Sequence, residues 1–370
     1  MPTLVALDLP GGPPFVAELQ RVWDAGDAAL PVDPRLPPTA RRQVFGALAP
    51  GAVVDADGRR SIDGGRPVEP GDALVVATSG TTGLARGVVL THAAVQASAA
   101  ATSARLEVDP AVHCWLACLP LSHVGGLSVV TRAVLTGAGL VVHPGFDATA
   151  VMAAAGPEVL ISLVPTTLRR VDAGAFRTVV LGGSAPPEEL PANVVTTYGM
   201  TETGSGVVYD GLPLAGVEVA IGAAQEIRLR GPMLLRAYRD GTVPLDADGW
   251  LNTGDAGYVD AGRRLHVNGR LSDLIISGGE NVWPATVEAA LRDHPGVKEV
   301  AVAGRPDPEW GERVVAWVVP VDRGAPPTLD ELRGAVKARL GPWAAPRQLV
   351  LADGLPKTAI GKIRRDALPA

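Results

Sequence analysis

Asp72-Ala73-Leu74-Val75-Val76-Ala77 runs directly into Thr78-Ser79-Gly80-Thr81-Thr82-Gly83-Leu84-Ala85-Arg86-Gly87. The first six residues form a short apolar run bounded by turn formers, the pattern of a buried strand. The next ten are mostly small, hydroxyl-bearing or glycine, with one cation. Glycines let a backbone approach an anion closely, and successive N–H groups can cradle phosphate oxygens. The hydroxyls and Arg86 add further donors. The Gly-x4-Gly-Lys-Ser/Thr spacing of a Walker A loop is absent. On composition alone, a flexible surface turn is the favoured reading of this loop. Downstream, a helix is predicted from about Thr91 to Ser103, with Thr91 as its N-cap.

Outward from this loop, short apolar runs alternate with helical pattern. Cys114–Leu119, Leu140–His143, Val159–Val164 and Thr178–Leu181 read as strands, and Leu127–Thr136 as a helix. Such alternation predicts an α/β fold with mainly parallel sheets. Residues 1–70 are rich in Pro and Gly and weakly periodic, with a helix expected near Phe15–Ala25. From Val217 shorter strands such as Glu226–Arg230 suggest a β-rich subdomain. The last stretch reads as a small α+β unit, with helices near Pro284–Asp293 and Leu329–Leu340. Its strands fall at Val297–Ala303, Val314–Val319 and Gln348–Leu351. The expected division is residues 1–269, a hinge at 270–273 and a small mobile domain at 274–370.

Composition narrows the function classes. The 370 residues are 47% hydrophobic and 19% charged, which suits a soluble chain with ample core. No apolar run is long enough for a membrane span, and Met1–Pro14 lacks the pattern of a signal peptide. A cytoplasmic location is the default. The net charge of −6 comes from mixed charges with no basic stripe, which argues against nucleic acid as a partner. Of the 33 basic residues only Lys298, Lys337, Lys357 and Lys362 are lysines, and two of these lie close together near the C-terminus. His113, Cys114, Cys118 and His123 invite a zinc reading. Residues four apart on a strand lie about 13 Å apart, too far for a shared metal or a disulfide. Buried, reduced thiols are the expectation.

Further motifs follow in order. They are Leu119-Pro120-Leu121-Ser122-His123, Gly182-Gly183-Ser184-Ala185-Pro186 and Tyr198-Gly199-Met200-Thr201-Glu202-Thr203. Then come Trp250-Leu251-Asn252-Thr253-Gly254-Asp255, Gly269-Arg270 and Pro356-Lys357-Thr358-Ala359-Ile360-Gly361-Lys362. Each is weak alone. Together with the first loop they resemble the adenylate-forming superfamily of acyl-CoA synthetases, luciferases and peptide-synthetase adenylation domains. The resemblance runs from about residue 72 to the end.

That resemblance implies an ATP-dependent carboxylate–CoA ligase, forming a carbon–sulfur bond through an acyl-adenylate. Its cofactors and co-substrates would be ATP, Mg²⁺ and coenzyme A. Thr78, Ser79, Gly80, Thr81, Thr82, Gly83 and Arg86 would hold phosphate. Gly183, Ser184 and Ala185 would meet adenine, with Tyr198 stacking on it beside Gly199 and Met200. Thr201 would donate to the α-phosphate and Glu202 would hold Mg²⁺, a hard cation that prefers carboxylate oxygen. Asp255 would accept from the ribose hydroxyls, with Arg270 beside it. Lys362 would bridge the carboxylate and α-phosphate as a point charge. His123 would gate an acyl pocket that includes Gly125, Gly126 and Arg132. Gly278 and Gly279, in Ser277-Gly278-Gly279-Glu280-Asn281, would line the pantetheine channel. Singly, these residues read equally as turn, core or solvated surface positions.

Three departures from the family pattern stand out. Arg86 replaces a usual Lys, Ser272 replaces a usual Asp or Lys hinge, and the N-terminal subdomain is expected to be reduced. The segment from His123-Val124-Gly125-Gly126-Leu127-Ser128 to Arg132 resembles o-succinylbenzoate–CoA ligases of menaquinone synthesis, as does the short length. That substrate keeps a second carboxylate, for which Arg132 and Arg169 are candidates. Another aryl- or acyl-CoA ligase, a carrier-protein-loading enzyme, or a catalytically silent ATP-binding protein remain open. The small-molecule acid and coenzyme A are the expected partners, and a homodimer is one assembly open to the chain.

If Lys362 acts in adenylation alone, Lys362→Ala cuts pyrophosphate release by about 10²–10³-fold, the scale of losing one transition-state charge stabiliser. Thioester formation from pre-made acyl-adenylate is far less affected. Equal losses in the two half-reactions would contradict a domain that rotates between them.

Overall fold

A computed structural model describes residues 1–79, 85–187, 189–357 and 363–369. It splits into two compact units, Met1–Val219 with Leu229–Asn252, and Ala220–Arg228 with Thr253–Ala370. The chain begins β1 (Leu4–Leu7), α1 (Pro13–Asp24), β2 (Ala28–Pro31), α2 (Pro38–Leu48), β3 (Ala52–Asp55) and β4 (Gly58–Ser61). β5 (Asp72–Ser79), β6 (Ala85–Thr91), α3 (His92–Arg105), β7 (Cys114–Ala117), α4 (Val124–Thr136) and β8 (Gly139–Val142) follow. Next are α5 (Ala148–Ala153), β9 (Val159–Leu163), α6 (Pro165–Leu168), β10 (Thr178–Leu181), β11 (Val194–Gly199), β12 (Gly206–Tyr209) and β13 (Leu212–Pro213). β14 (Glu218–Ile221), β15 (Glu226–Arg230), β16 (Ala237–Tyr238), β17 (Leu251–Val259) and β18 (Leu265–Arg270) come after these. The chain ends in β19 (Ile275–Ser277), β20 (Glu280–Val282), α7 (Pro284–Arg292), β21 (Val297–Asp307), β22 (Gly311–Pro320), α8 (Leu329–Arg339) and β23 (Gln348–Leu351).

The first unit holds two seven-stranded sheets, ordered β16-β6-β5-β2-β1-β3-β4 and β13-β12-β11-β10-β9-β7-β8. Their centres are parallel: β2, β1 and β3 in the first, and β8, β7, β9, β10 and β11 in the second. Antiparallel strands close the edges. The mainly parallel expectation therefore describes the sheet centres, and the whole is a mixed α/β fold. In the first sheet the parallel strands β1, β2 and β3 are buried on both faces; Leu4, Ala6, Leu30, Val53 and Val75 pack into one core. That explains the weak periodicity of residues 1–70. Strands of four residues, apolar on both faces, carry no alternation to read. These residues supply four of the seven strands of the first sheet.

β6 departs from the sequence expectation. Residues Ala85–Thr91 are a strand, not the tail of a loop, and pair antiparallel with β5, Thr78 opposite Arg86 and Ser79 opposite Ala85. The buried run Val88-Val89-Leu90 drives this pairing. The neighbouring glycine-rich stretch hides it in the sequence. Thr91 caps α3 as expected, its hydroxyl accepting from Ala94 N at 3.1 Å.

The second unit is built on a four-stranded sheet, β14-β15-β17-β18, and a five-stranded one, β20-β19-β22-β21 with β23 beside β22. β22 shows why that sheet is stable. Val314, Ala316 and Val318 join one core with Val287, Leu291 and Leu332 of α7 and α8. Alternate residues Val315, Trp317 and Val319 join another with Leu355 and Leu368. Thr328 and Glu331 form a reciprocal capping box that starts α8. Among the described residues no helix is long and apolar enough to cross a membrane.

In the first unit Arg236 locks the segment around β16 to the first sheet. Its guanidinium takes both oxygens of the buried Asp72 at 2.9 Å and reaches Glu69 at 2.6 Å. Arg236→Met leaves Asp72 buried without its partner, and should lower the unfolding free energy by about 1–3 kcal/mol. Urea denaturation of the full chain measures this, and an unchanged midpoint would refute it.

Candidate active site

Sheet topology gathers three of the motifs. β7, β10 and β11 are parallel members of one sheet. The segments after their carboxyl ends are Cys118–His123, Gly182–Pro186 and Met200–Glu202. In open α/β sheets, the carboxyl edge is where ligands gather.

The turn after β11 is tightly built. Thr201–Thr203 form one short 3-10 turn, and the Thr203 hydroxyl closes it by accepting from Met200 N at 2.9 Å. The same hydroxyl lies 2.6 Å from Ser205 O, and Gly204 takes a left-handed φ of 68°. Thr201 and Glu202 are left half-buried at the surface, with Tyr198 half-buried and Gly199 exposed just before them. Gly183 also has a left-handed φ, 84°, and Gly183, Ser184 and Ala185 form an exposed turn.

The described ends of the phosphate-loop segment belong to β5 and β6. The Thr78 hydroxyl donates to Arg86 O at 3.1 Å. Gly80, Thr81, Thr82 and Gly83 lie outside the described residues, as does the side chain of Ser79. Arg86 stacks its guanidinium 3.4 Å from the centre of the Tyr238 ring and lies 3.4 Å from an Asp240 oxygen. The Tyr238 hydroxyl donates to Glu202 Oε1 at 2.9 Å. Burial, followed by the negative Glu202, pushes the Tyr238 pKa up to about 12, so it remains a donor at neutral pH. Glu202 therefore offers a carboxylate whose one oxygen is held, a hard donor that fits magnesium. Neither Tyr238 nor Asp240 carries a local signal in the sequence. They sit in an unremarkable stretch, Arg236-Ala237-Tyr238-Arg239-Asp240, and only the pairing of β16 with β6 brings them to the site.

In the acyl-pocket segment His123 is half-buried and precedes α4. Burial lowers its pKa below the ordinary histidine value, opposed by the Asp33 carboxylate, so the ring is neutral at pH 7. Asp33 is held by Arg35 at 2.7 Å. Gly125 is exposed, whereas Gly126 is buried against backbone. Arg132, the candidate for the second carboxylate, lies in α4 and is only 2% exposed. It donates to Ser205 Oγ and lies 5.2 Å from the Trp115 ring centre. Its Nε and Nη1 have no hydrogen-bond partner among the described residues. Burial pulls its pKa below the usual arginine value. Arg169, the other candidate cation, follows α6 and is exposed.

The second unit carries its own constellation. Asp255 and Arg270 face each other across β17 and β18, with Arg270 Nε 2.9 Å from Asp255 Oδ1. Arg270 also donates to Thr253 O at 2.9 Å. Gly278 and Gly279 form the two-residue turn between β19 and β20, both at positive φ, as such a hairpin requires. A Cβ on Gly278 would lie 2.8 Å from the Trp310 ring. Ser272 is in a short turn, its hydroxyl 3.3 Å from Asp273. Lys362 lies outside the described residues; its neighbour Lys357 pairs with Glu299 at 2.8 Å. Cys114 and Cys118 are free thiols. Among the described residues no group of three or more metal-ligating side chains gathers.

Residues 59–238 match the model of AMP-binding enzymes, and residues 286–362 that of the AMP-binding enzyme C-terminal domain. A "Probable 2-succinylbenzoate--CoA ligase" of Mycobacterium tuberculosis is 38% identical over 98% of this chain and 97% of its own length. The chain belongs to the AMP-binding enzyme family. An indoleacetate–CoA ligase of Aromatoleum aromaticum is 36% identical, over 79% of this chain and 66% of its own. The fold is that of adenylate-forming enzymes. The o-succinylbenzoate CoA synthetase of Bacillus subtilis, solved with its acyl-adenylate intermediate, superposes with a TM-score of 0.87 at 28% identity. That superposition covers 99% of this chain and 87% of the other. The same enzyme has been solved with ATP and a magnesium ion, with a TM-score of 0.86 at 28% identity over 99% and 89% of the two chains.

The two adjacent glycines of α4 separate cleanly. A Cβ on Gly126 would sit 2.4 Å from Leu119 O and 2.6 Å from Pro120 O, backbone that carries the acyl-pocket motif. A Cβ on Gly125 would meet only Leu119 Cδ1 at 3.7 Å. Gly126→Ala should therefore destabilise the chain by about 1–3 kcal/mol, and Gly125→Ala should change stability little. Thermal unfolding of both variants tests the contrast.

Proposed function

We propose that this chain is an ATP-dependent 2-succinylbenzoate–CoA ligase, acting through an acyl-adenylate in menaquinone biosynthesis. The observation that carries the substrate is Arg132, a buried guanidinium with unpaired donors. Burying a cation without an anion is costly. 2-Succinylbenzoate keeps one carboxylate when the other is activated, and that carboxylate would satisfy Arg132. The full-length likeness to a relative of that name supports the same reading.

In the first half-reaction a carboxylate oxygen attacks the α-phosphorus, and the bond to pyrophosphate breaks. Fixed donors must offset the meeting of two anions. Thr78–Gly87 cradles the outer phosphates, with Arg86 as its cation, and Thr201 donates to the α-phosphate. Tyr198 stacks on adenine against the Gly183–Ala185 turn, beside Gly199 and Met200. Asp255, oriented by Arg270, accepts from the ribose hydroxyls. Lys362 bridges the two reacting anions. Glu202 is the residue that would hold magnesium, which when bound neutralises phosphate charge. His123, neutral, gates the acyl pocket without adding a second cation to it.

In the second half-reaction the coenzyme A sulfur attacks the acyl carbon, its proton is lost, and AMP departs with the electrons of the broken C–O bond. The small domain turns about residues 270–273, with Ser272 as pivot, and Gly278 and Gly279 leave room for the pantetheine arm. This chemistry belongs in the cytoplasm, where ATP and free coenzyme A are at hand.

The indoleacetate-specific relative makes an aryl-acetic acid the second reading. Thioester formation across 2-succinylbenzoate, benzoate, indoleacetate and octanoate separates them, with 2-succinylbenzoate expected fastest. Arg132→Met should cost about 2–5 kcal/mol in kcat/KM for 2-succinylbenzoate, the scale of losing a buried charged partner. Its effect on benzoate should be small. A clear preference for a monocarboxylic acid would discard the substrate and leave the adenylating chemistry standing.

A further inference from the structure

Glu202 sits on a turn fixed by its own backbone, but the direction of its carboxylate is set from outside that turn. The Tyr238 hydroxyl donates to Glu202 Oε1 at 2.9 Å, from a residue 36 positions further along the chain. Tyr238 is itself held on every side. β16 pairs with β6, Tyr238 opposite Val88 and Ala237 opposite Val89. Leu235 N donates to Glu202 O at 2.8 Å, and Arg239 N to Gly87 O at 2.7 Å. The Arg239 side chain reaches the carbonyls of Leu48, Arg66 and Pro67. The ring's face carries the Arg86 guanidinium at 3.4 Å. One aromatic residue thus touches both the cation at the base of the phosphate loop and the carboxylate expected to take the metal.

We propose that Tyr238 is a positioning residue, which fixes the Glu202 carboxylate for the magnesium ion through its hydroxyl and seats Arg86 across its ring. This rests on the reading of Glu202 as the metal ligand. A carboxylate with one oxygen pinned keeps the other aimed at the ion, and pays less ordering entropy when the ion arrives. The two contacts are separable, because Tyr238→Phe deletes the hydroxyl and keeps the ring.

The test has two readouts on the full-length enzyme: Mn²⁺ binding in the presence of ATP without the acid, followed by electron paramagnetic resonance as a magnesium stand-in, and pyrophosphate release measured against Mg²⁺ at fixed ATP and acid. Tyr238→Phe should raise the half-maximal Mg²⁺ and the Mn²⁺ dissociation constant roughly three- to tenfold, the size of one typical lost hydrogen bond. The KM for the acid and thioester formation from pre-made acyl-adenylate should stay within about twofold, which a general loss of folding would not allow. In a Glu202→Gln background, the same substitution should add nothing further. If Glu202→Gln shifts the metal dependence and Tyr238→Phe does not, or if the two shifts add, the positioning role is overturned. If Glu202→Gln itself leaves the metal dependence unchanged, the metal-ligand reading falls, and this role falls with it.

Discussion

The pairing of two-residue β16 with β6 is the contact on which the surroundings of Arg86 and Glu202 depend. β6 pairs with β5 and carries Arg86, and β16 brings Tyr238 and Asp240 against that arginine. Two backbone registers would hold such a short strand poorly. Arg236 and Arg239, on either side of Tyr238, anchor it to Asp72 and to carbonyls near residues 48 and 66–67. A pair of arginines thus does what a longer strand would do elsewhere, and leaves the tyrosine between them free to face the site. The arrangement also explains how the chain works with Arg86 in place of lysine. A planar guanidinium can lie flat on an aromatic ring, whereas an ammonium is a compact point charge.

The second sheet contributes by topology. Its parallel centre delivers the segments after β7, β10 and β11 to one edge, so residues far apart in sequence are gathered by strand order. Asp255 and Arg270 form a comparable pre-set pair in the second unit, held by strand register instead of loop packing. Donor groups fixed in advance do not have to reorganise when charge develops, and that saves most of the cost of bringing anions together.

Much of this was legible in the sequence. Thr178–Leu181, Glu226–Arg230 and Gln348–Leu351 appear at the bounds expected, and Thr91 caps its helix. These elements have local causes: an apolar run of strand length, a hydroxyl before a helical segment. What was illegible depends on distance. β6 was obscured by its glycine-rich neighbourhood, and β1 to β4 by lacking any alternation. Tyr238 has no local mark, since its role exists only once β16 meets β6. Arg132 could be picked out as a candidate, but its burial could not be foreseen, because an arginine on a helix commonly lies in solvent. The motif residues were found by resemblance, and that resemblance gave no account of the contacts that hold them.

Cys118 lies between β7 and the acyl-pocket motif, 1% exposed, and its burial raises the thiol pKa to about 12. At pH 7 about one such thiol in 10⁵ is ionised. Cys114 is likewise shifted upward by burial. An acyl-adenylate is a mixed anhydride, and any thiolate near it competes with coenzyme A for the acyl group. Burial keeps both of the chain's cysteines protonated at neutral pH, so neither offers the thiolate that such a competition needs.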